Sequence, residues 1–129
     1  MRIGFVGTGK IASSVIEGIC NSKIKYEKII VSKRNNKISL KLKKKFKKIL
    51  INKSNQYIVD NSDWIFLSIT PNVGKKIIKN LRFKSNQTVI SFISTITLSE
   101  LKKAIKVKAK ILRAIPLPPI SWKKGPIPI

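Results

Sequence analysis

The chain has 129 residues and carries 28 Lys and Arg against 5 Asp and Glu, which gives a net charge of +23, with no His and a single Cys. The length fits one ordinary domain, and a hydrophobic content of 43% is enough for a packed core. Within this sequence, the lack of His excludes a Ser-His-Asp triad and a His-based zinc site, and the lone Cys20 excludes an intramolecular disulfide.

The first half of the chain alternates predicted strands with predicted helices. The apolar run Met1 to Val6, which a glycine follows, predicts a buried strand, and apolar residues at helical spacing predict a helix from Lys10 to Cys20. The β-branched run Lys28 to Ser32 predicts a second strand. Apolar residues spaced among lysines predict an amphipathic helix from Ile38 to Ile49, and a short helical turn is predicted around Gln56 to Asp60.

The second half continues the same alternation. The apolar run Trp64 to Ile69 predicts a central strand, and Lys75 to Leu81 a helix. A β-branched run predicts a strand from Thr88 to Ile93. A short helix is predicted over Ser99 to Ala104, with Ser99 as its N-cap, and a last strand over Lys110 to Ala114.

This alternation predicts the fold class. Buried apolar strands that alternate with helices are typical of a Rossmann-like, doubly wound α/β fold, in which helices cover both faces of a mainly parallel sheet. Ligands of such sheets bind at the carboxyl ends of the strands. The predicted domain spans residues 1–114. Residues 115–129 are rich in Pro and are therefore predicted to form an irregular tail.

The strongest local signal is a G-x-G-x-x-A motif between the first strand and the first helix. It consists of Gly7, Thr8, Gly9, Lys10, Ile11 and Ala12. Gly7 permits a tight turn, Gly9 lets the backbone approach a pyrophosphate, and Ala12 keeps the helix close to the strand. The N-terminus of the helix offers N–H groups and partial positive charge to phosphates. The motif therefore predicts a dinucleotide site.

The end of the second strand indicates which dinucleotide is preferred. Domains that prefer NAD(H) usually carry an acidic residue there, which binds the ribose 2′-OH and repels a 2′-phosphate. This chain has Ser32-Lys33-Arg34-Asn35 instead. Ser32 can donate a hydrogen bond and Arg34 can hold a phosphate through two N–H groups, so NADP(H) is the expected cofactor.

Four segments together resemble the N-terminal domain of the pyrroline-5-carboxylate reductase family, namely Met1 to Ala12, Ser32 to Asn35, Ser62 to Leu67 and Arg113 to Pro116. The resemblance implies NADPH binding and hydride transfer to the C=N bond of a cyclic imino acid, 1-pyrroline-5-carboxylate, in proline biosynthesis.

The same resemblance implies further site residues. Asn55 corresponds to an Asn near the adenosine ribose of the cofactor, and Thr70 and Pro71 flank the cofactor after the fourth strand of the family. Ser91, Ser94 and Thr95 occupy a turn that passes near the nicotinamide. The resemblance does not identify a catalytic residue in this chain.

The sequence also departs from the family pattern. Leu117 stands where the family has Asn, Thr70 replaces Lys, and Thr95 replaces Gly, which indicates a divergent branch. The family has a second, helical domain that forms a homodimer and much of the substrate site. We expect that domain to be absent here, with residues 115–129 as the start of the link to it. The chain alone is then expected to bind cofactor without reducing the imine, and an inactive truncated relic remains an alternative.

The high positive charge permits a different interpretation. All but four of the 28 basic residues are Lys, and Lys, Ile and Asn share A/T-rich codons, whereas nucleic-acid interfaces favour Arg and aromatic residues. Codon bias is therefore favoured, and a basic Rossmann-like protein that binds RNA or an acidic partner is the alternative. No stretch approaches the roughly 18 apolar residues of a membrane span. A cytoplasmic protein without membrane or metal partners is expected.

Overall fold

The computed structural model describes residues 1–33 and 36–114, in which strands and helices alternate along the chain. The strands are β1 (Arg2–Val6), β2 (Lys28–Ser32), β3 (Ile49–Asn52), β4 (Trp64–Leu67), β5 (Thr88–Ser91) and β6 (Lys110–Arg113). The helices are α1 (Lys10–Cys20), α2 (Asn36–Lys45), α3 (Asn55–Asp60), α4 (Pro71–Asn80) and α5 (Leu98–Ile105). The predicted Rossmann-like class is confirmed.

All strand pairs in the sheet are parallel, and the order is β3-β2-β1-β4-β5-β6. The chain first adds strands outward from β1 through β2 to β3, and then crosses back to place β4 on the other side of β1. The boundary between β1 and β4 is therefore the point where the strand order reverses. In folds of this type, that reversal opens a crevice at the carboxyl edge of the sheet.

Each face of the sheet carries its own apolar core. Successive residues of a strand point to opposite faces, so Ile30 packs in one cluster while Ile29 and Val31 pack in the other. The first cluster takes its helical side chains mainly from α3, α4 and α5, and the second from α1 and α2. Burial on both faces explains why the strands are continuous apolar runs with no polar alternation.

The predicted helix from Ile38 to Ile49 is wrong in its second half. The helix α2 ends at Lys45, and Ile49 begins strand β3, which the sequence analysis did not predict. Ile49 is fully buried and pairs with Ile29 of β2. The helical spacing of apolar residues continued by chance into a short strand, and the burial of Ile49 in the sheet overrides that spacing.

Helix starts also differ from prediction. The helix α4 begins at Pro71, four residues earlier than predicted, because Pro at the first position has its φ already set for a helix. The predicted N-cap Ser99 is wrong, since α5 is capped by Thr97. The Thr97 hydroxyl accepts from Glu100 N–H at 3.1 Å, and the Glu100 carboxylate accepts from Thr97 N–H at 3.3 Å. This reciprocal pair is a capping box.

An ion pair joins the amino ends of the two central strands. Arg2 Nη2 lies 3.2 Å from Asp63 Oδ1, and the backbone N–H of Arg2 donates to Asp63 Oδ2 at 2.8 Å. The Arg2 side chain, together with its backbone N–H, lowers the pKa of the Asp63 carboxyl group. The pair lies at the opposite end of the strands from the crevice.

Candidate functional site

The turn between β1 and α1 lies at the centre of the crevice and requires glycine at its first position. Gly7 has a φ of +96°, a conformation that L side chains rarely adopt. A Cβ atom at Gly7 would also lie 2.6 Å from the backbone oxygen of Ser68 and 2.8 Å from Ile69 Cγ2. Both the backbone conformation and the packing against the end of β4 therefore demand glycine here.

Hydrogen bonds hold this turn from the β2 side. Gly7 N–H donates to Ser32 Oγ at 3.1 Å, and the Thr8 hydroxyl donates to the Ser32 carbonyl at 3.0 Å. The two hydroxyl oxygens of Thr8 and Ser32 are also 3.0 Å apart. The Thr8 hydroxyl proton is already donated to the Ser32 carbonyl. In the contact between the two hydroxyl groups, the Ser32 hydroxyl is therefore the donor and Thr8 Oγ1 the acceptor. Both side chains are buried, so this network fixes the turn to the end of β2.

The same turn is held from the β4 side. The Ser68 hydroxyl donates to the Gly7 carbonyl at 2.6 Å, and Ser68 N–H donates to the Val6 carbonyl at 2.9 Å. The side chains of Ser32, at the end of β2, and of Ser68, directly after β4, therefore both hydrogen-bond to this turn. Ser68 was not predicted as a site residue, because it belongs to no recognisable sequence motif.

Gly9 differs from Gly7, because nothing in the fold requires it to be glycine. Its φ is −114°, which other residues adopt readily, and a Cβ atom built there meets no atom of the described residues within 4 Å. Gly9 precedes the first turn of α1 and forms no side-chain cap. The open space lies over the N-terminal N–H groups of α1, where an anion is favoured. A phosphate group fits this donor set, and a side chain at Gly9 would occupy part of its space.

Two cavities open at the carboxyl edge on either side of this turn. The β2-side cavity has a volume of about 430 Å³ and is lined by Gly7, Ser32, Lys33, Lys53, Asn55, Ile69 and Ile77. Its charged lining residues are the lysines that follow β2 and β3, and no carboxylate lines it among the described residues. The cavity is therefore suited to an anionic group.

The β4-side cavity has a volume of about 340 Å³ and is lined by Gly9, Lys10, Ile11, Ala12, Ser68, Ile69, Thr70, Pro71, Phe92, Ile93 and Ser94. The N-termini of α1 and α4 both contribute to it. Thr70 is the N-cap residue of α4, and its side chain makes no capping hydrogen bond. Ile69 lines both cavities, so the two cavities meet at this residue.

Two contacts support the far wall of the β4-side cavity. Arg113 of β6 donates from Nη2 to the Ser94 carbonyl at 2.7 Å, which anchors the loop after β5. Phe92 lies 5.4 Å from the ring centroid of Phe66, and Phe66 in turn stacks on Phe5 at 4.6 Å. A row of aromatic rings thus leads from the core to the cavity.

The structure brings most of the predicted site residues to these cavities. Three of them line the β2-side cavity, namely Gly7, Ser32 and Asn55. Seven others line the β4-side cavity, namely Gly9, Lys10, Ile11, Ala12, Thr70, Pro71 and Ser94. Thr8 is buried beneath the turn, and Thr95 is exposed and outside both linings. Arg34 and the tail 115–129 lie outside the described residues. Lys53 was not predicted as a site residue, because it follows β3, a strand that the sequence pattern did not indicate.

Two kinds of feature are absent from residues 1–33 and 36–114. These residues contain no helix with the length and apolar content needed to cross a membrane. They also contain no group of three or more His, Cys, Asp or Glu side chains placed to hold a metal ion.

The chain is similar to several known proteins in sequence and in fold. A model of the family described as NADP oxidoreductase coenzyme F420-dependent matches residues 2–95. Pyrroline-5-carboxylate reductase 3 of Danio rerio is 26% identical over 128 residues, which are 97% of this chain and 44% of that protein. The crystal structure of 1-pyrroline-5-carboxylate reductase from Streptococcus pyogenes matches with a TM-score of 0.75 and 29% identity, covering 90% of this chain and 42% of the other.

Another similar structure contains bound NADP. The pyrroline carboxylate reductase of Plasmodium falciparum, solved with NADP bound, has a TM-score of 0.72 and 22% identity, and covers 89% of this chain and 42% of the other. The predicted resemblance to the pyrroline-5-carboxylate reductases is confirmed. The chain spans less than half the length of the curated relatives that it matches.

Proposed function

Because this chain belongs to the family described as NADP oxidoreductase coenzyme F420-dependent, we propose that it binds NADP(H) across the two cavities at the carboxyl edge of the sheet. The adenosine half occupies the β2-side cavity and the nicotinamide half the β4-side cavity. The observation that carries this proposal is the open space at Gly9 in the β4-side cavity, since neither the backbone conformation nor the packing of the described residues requires glycine there. The pyrophosphate fills that space and accepts hydrogen bonds from the first turn of α1.

We also propose that NADP(H) is preferred over NAD(H). Among the residues that the structure describes, the β2-side cavity is lined by Lys33 and Lys53 and by no carboxylate. Arg34 follows Lys33 directly in the sequence and is a candidate for bidentate contact with the 2′-phosphate. In NAD-preferring domains an acidic residue near this position binds the 2′-OH, and none of the five acidic residues of this chain lines the cavity. These three basic residues would stabilise the additional negative charge.

The proposed reaction is reduction of the C=N bond of a cyclic imino acid, as the names of the relatives suggest. When bound, the nicotinamide supplies the hydride, so the protein has to position the ring and does not have to provide the reacting group. Thr70, Pro71 and Ser94 are the proposed contacts of the nicotinamide half. Residues 1–114 form the proposed cofactor domain, and residues 115–129 are the proposed start of a link to a second domain, which would complete the substrate site and the homodimer.

A titration tests the cofactor proposal. The enhancement of NADPH fluorescence on addition of the protein gives its Kd, and competition by NADH gives the second Kd. Saturable binding of NADPH that is tighter than binding of NADH is expected. Absent NADPH binding would refute the proposed function, and equal affinity for both would refute the preference alone. In the same cuvette, 1-pyrroline-5-carboxylate is expected to cause negligible NADPH oxidation by the 129-residue chain, and measurable turnover would contradict that expectation.

A further inference from the structure

The loop between β5 and α5 forms one wall of the β4-side cavity, to which Phe92, Ile93 and Ser94 contribute. The first two of these residues are held by the ends of neighbouring strands. Phe92 N–H donates to the Leu67 carbonyl of β4 at 2.9 Å, and Ile93 N–H donates to Ser91 Oγ of β5 at 3.2 Å. The sheet itself therefore fixes this part of the wall.

Ser94 and Thr95 form the exposed tip of the same loop. Ile96 N–H donates to the Ile93 carbonyl at 3.3 Å, so Ser94 and Thr95 are the two central residues of a β-turn. Within residues 1–33 and 36–114, Ser94 takes part in one hydrogen bond, which its carbonyl accepts from Arg113 Nη2 at 2.7 Å. This bond is therefore the contact that ties the tip of the loop to the sheet.

Arg113 reaches Ser94 from a fixed position at the carboxyl end of β6. It pairs with Ser91 of β5, and the next residue, Ala114, donates its N–H to the Ser91 carbonyl at 2.9 Å. Arg113 is half-buried, and in the part of the chain that the structure describes its guanidinium forms no ion pair. A hydrogen bond from a charged donor is stronger than one between neutral groups, so the contact with the Ser94 carbonyl orders both the guanidinium and the loop.

The side chain of Ser94 differs from that of Ser91, because its hydroxyl is available to a ligand. Ser91 is buried, and its Oγ accepts from Ile93 N–H. Ser94 lines the β4-side cavity, and its hydroxyl has no hydrogen-bond partner among the described residues. A hydroxyl group can donate one hydrogen bond and accept others, so it can bind either the oxygen or the nitrogen of an amide group. The carboxamide of a nicotinamide ring offers both atoms.

We infer that Arg113 is a positioning residue for the nicotinamide half of the cofactor, an inference that rests on the proposed function. Arg113 acts through Ser94. Its guanidinium holds the Ser94 carbonyl, so the Ser94 hydroxyl stays at the cavity wall and hydrogen-bonds to the carboxamide of the ring. Arg113 is not among the described residues that line the cavity, so it acts without contacting the cofactor. A loop that is already ordered loses less conformational freedom when the ligand binds than a loop without this contact.

Two ligands separate the nicotinamide ring from the rest of the cofactor. NADPH and 2′-phosphoadenosine 5′-diphosphoribose carry the same phosphate groups, and the second lacks the ring. Isothermal titration calorimetry with the full chain measures both Kd values. Arg113→Met is expected to weaken NADPH about fivefold more than the ring-free ligand, as for the loss of one hydrogen bond. Because both ligands carry the same negative charge, the lost positive charge of Arg113 affects them equally and cannot produce this difference.

A double-mutant cycle tests whether Arg113 acts through Ser94. Ser94→Ala removes the hydroxyl and is expected to weaken NADPH, relative to the ring-free ligand, by a similar factor. The combination of Arg113→Met with Ser94→Ala is then expected to bind NADPH no more weakly than Ser94→Ala alone. Multiplication of the two losses would overturn the inference, because Arg113 would then contribute independently of Ser94.

Two further variants serve as rescue and control. Arg113→Lys keeps the charge and an N–H donor, so it is expected to restore most of the lost NADPH affinity. Arg82→Met is the matched control and is expected to change neither Kd, since Arg82 is exposed and follows the end of α4, the helix whose start lines the cavity. If the parent binds NADPH and Arg113→Met binds both ligands as the parent does, this inference is overturned and the proposed function stands. Absent NADPH binding by the parent would refute both.

Discussion

Gly7 N–H donates to the Ser32 hydroxyl at 3.1 Å, so the turn that opens α1 is fixed by the end of a different strand. Ser32 was expected to contact the cofactor as a hydrogen-bond donor. Its hydroxyl is buried and hydrogen-bonds to both Gly7 and Thr8, so it stabilises the turn in the ligand-free protein. We therefore expect the proposed binding of a dinucleotide at this turn to depend on Ser32, because Ser32 fixes the position of Gly7.

Substitution of Ser32 by Ala is expected to lower both stability and NADPH affinity. The change leaves the buried N–H of Gly7 without an acceptor, which costs about 1 to 3 kcal/mol. Urea denaturation measures the loss. Ser39→Ala is the matched control, because the Ser39 hydroxyl donates to the Ser32 carbonyl at 2.7 Å and that carbonyl retains Thr8 as a donor. A Ser32→Ala variant as stable as the parent would show that the network does not hold the turn.

The two glycines of the motif are expected to respond in opposite ways. Gly9→Val should weaken NADPH about tenfold or more and change the free energy of unfolding by about 1 kcal/mol or less, since its Cβ enters open space at an ordinary φ. Gly7→Ala should destabilise the fold by about 1 to 3 kcal/mol, because its φ is +96°.

Thermal denaturation and NADPH titration of both variants measure these effects. Unchanged NADPH affinity in Gly9→Val would remove the main support for the cofactor site. It would favour the alternative of a basic protein that binds RNA, which is expected to show a steep dependence on salt and to be indifferent to Gly9.

Cofactor preference is expected to depend on the basic residues after β2 and β3. Arg34→Ala should weaken NADPH by about 1.5 to 3 kcal/mol and leave NADH unchanged, because only NADPH carries the 2′-phosphate. Lys53→Ala should weaken NADPH by about 1 kcal/mol, as expected for a single solvent-accessible charge. Lys44→Ala removes one charge from an exposed position of α2 and serves as the control. Equal losses for NADPH and NADH would show that these residues do not read the 2′-phosphate.

The Arg2–Asp63 ion pair predicts an acid-dependent loss of stability. Because the Arg2 side chain and its N–H lower the pKa of Asp63 in the folded state, the ionised form stabilises the fold above the unfolded pKa of this group. That contribution is lost as pH falls through the lower, folded value. Urea midpoints of the parent and Asp63→Asn should therefore differ at neutral pH and converge in acid. A constant difference across that range would contradict the assignment.

The main strands, the helices that alternate with them and the fold class could be predicted from local sequence patterns. Buried strands such as β2 are continuous β-branched runs, and the glycine motif begins where the first run ends. The missed strand β3 has four residues and follows a lysine-rich helix whose apolar spacing runs on into it. The pairing of Ile49 with Ile29 in the sheet determines that residues 49–52 form a strand, and this contact is not visible in the local sequence.

Fewer features of the candidate site could be predicted from the sequence. Lys53 follows the missed strand, so its place in the β2-side cavity had no sequence signal. The cap of α5 did have one, since Thr97 and Glu100 have the spacing of a capping box, and that signal was overlooked in favour of Ser99. For Ser32 the sequence shows a hydroxyl at a strand end but cannot indicate whether it points to a ligand or to Gly7.

Ile69 separates the two cavities and lines both of them. A molecule that spans Ile69 loses its translational and rotational freedom once while it gains contacts on both sides. Two fragments, each confined to one cavity, lose that freedom separately and should bind far more weakly than their linked form. If the proposed site is correct, linked dinucleotides are therefore expected to bind more tightly than mononucleotides. The gain comes from the covalent link within the ligand and needs no additional contact from the protein.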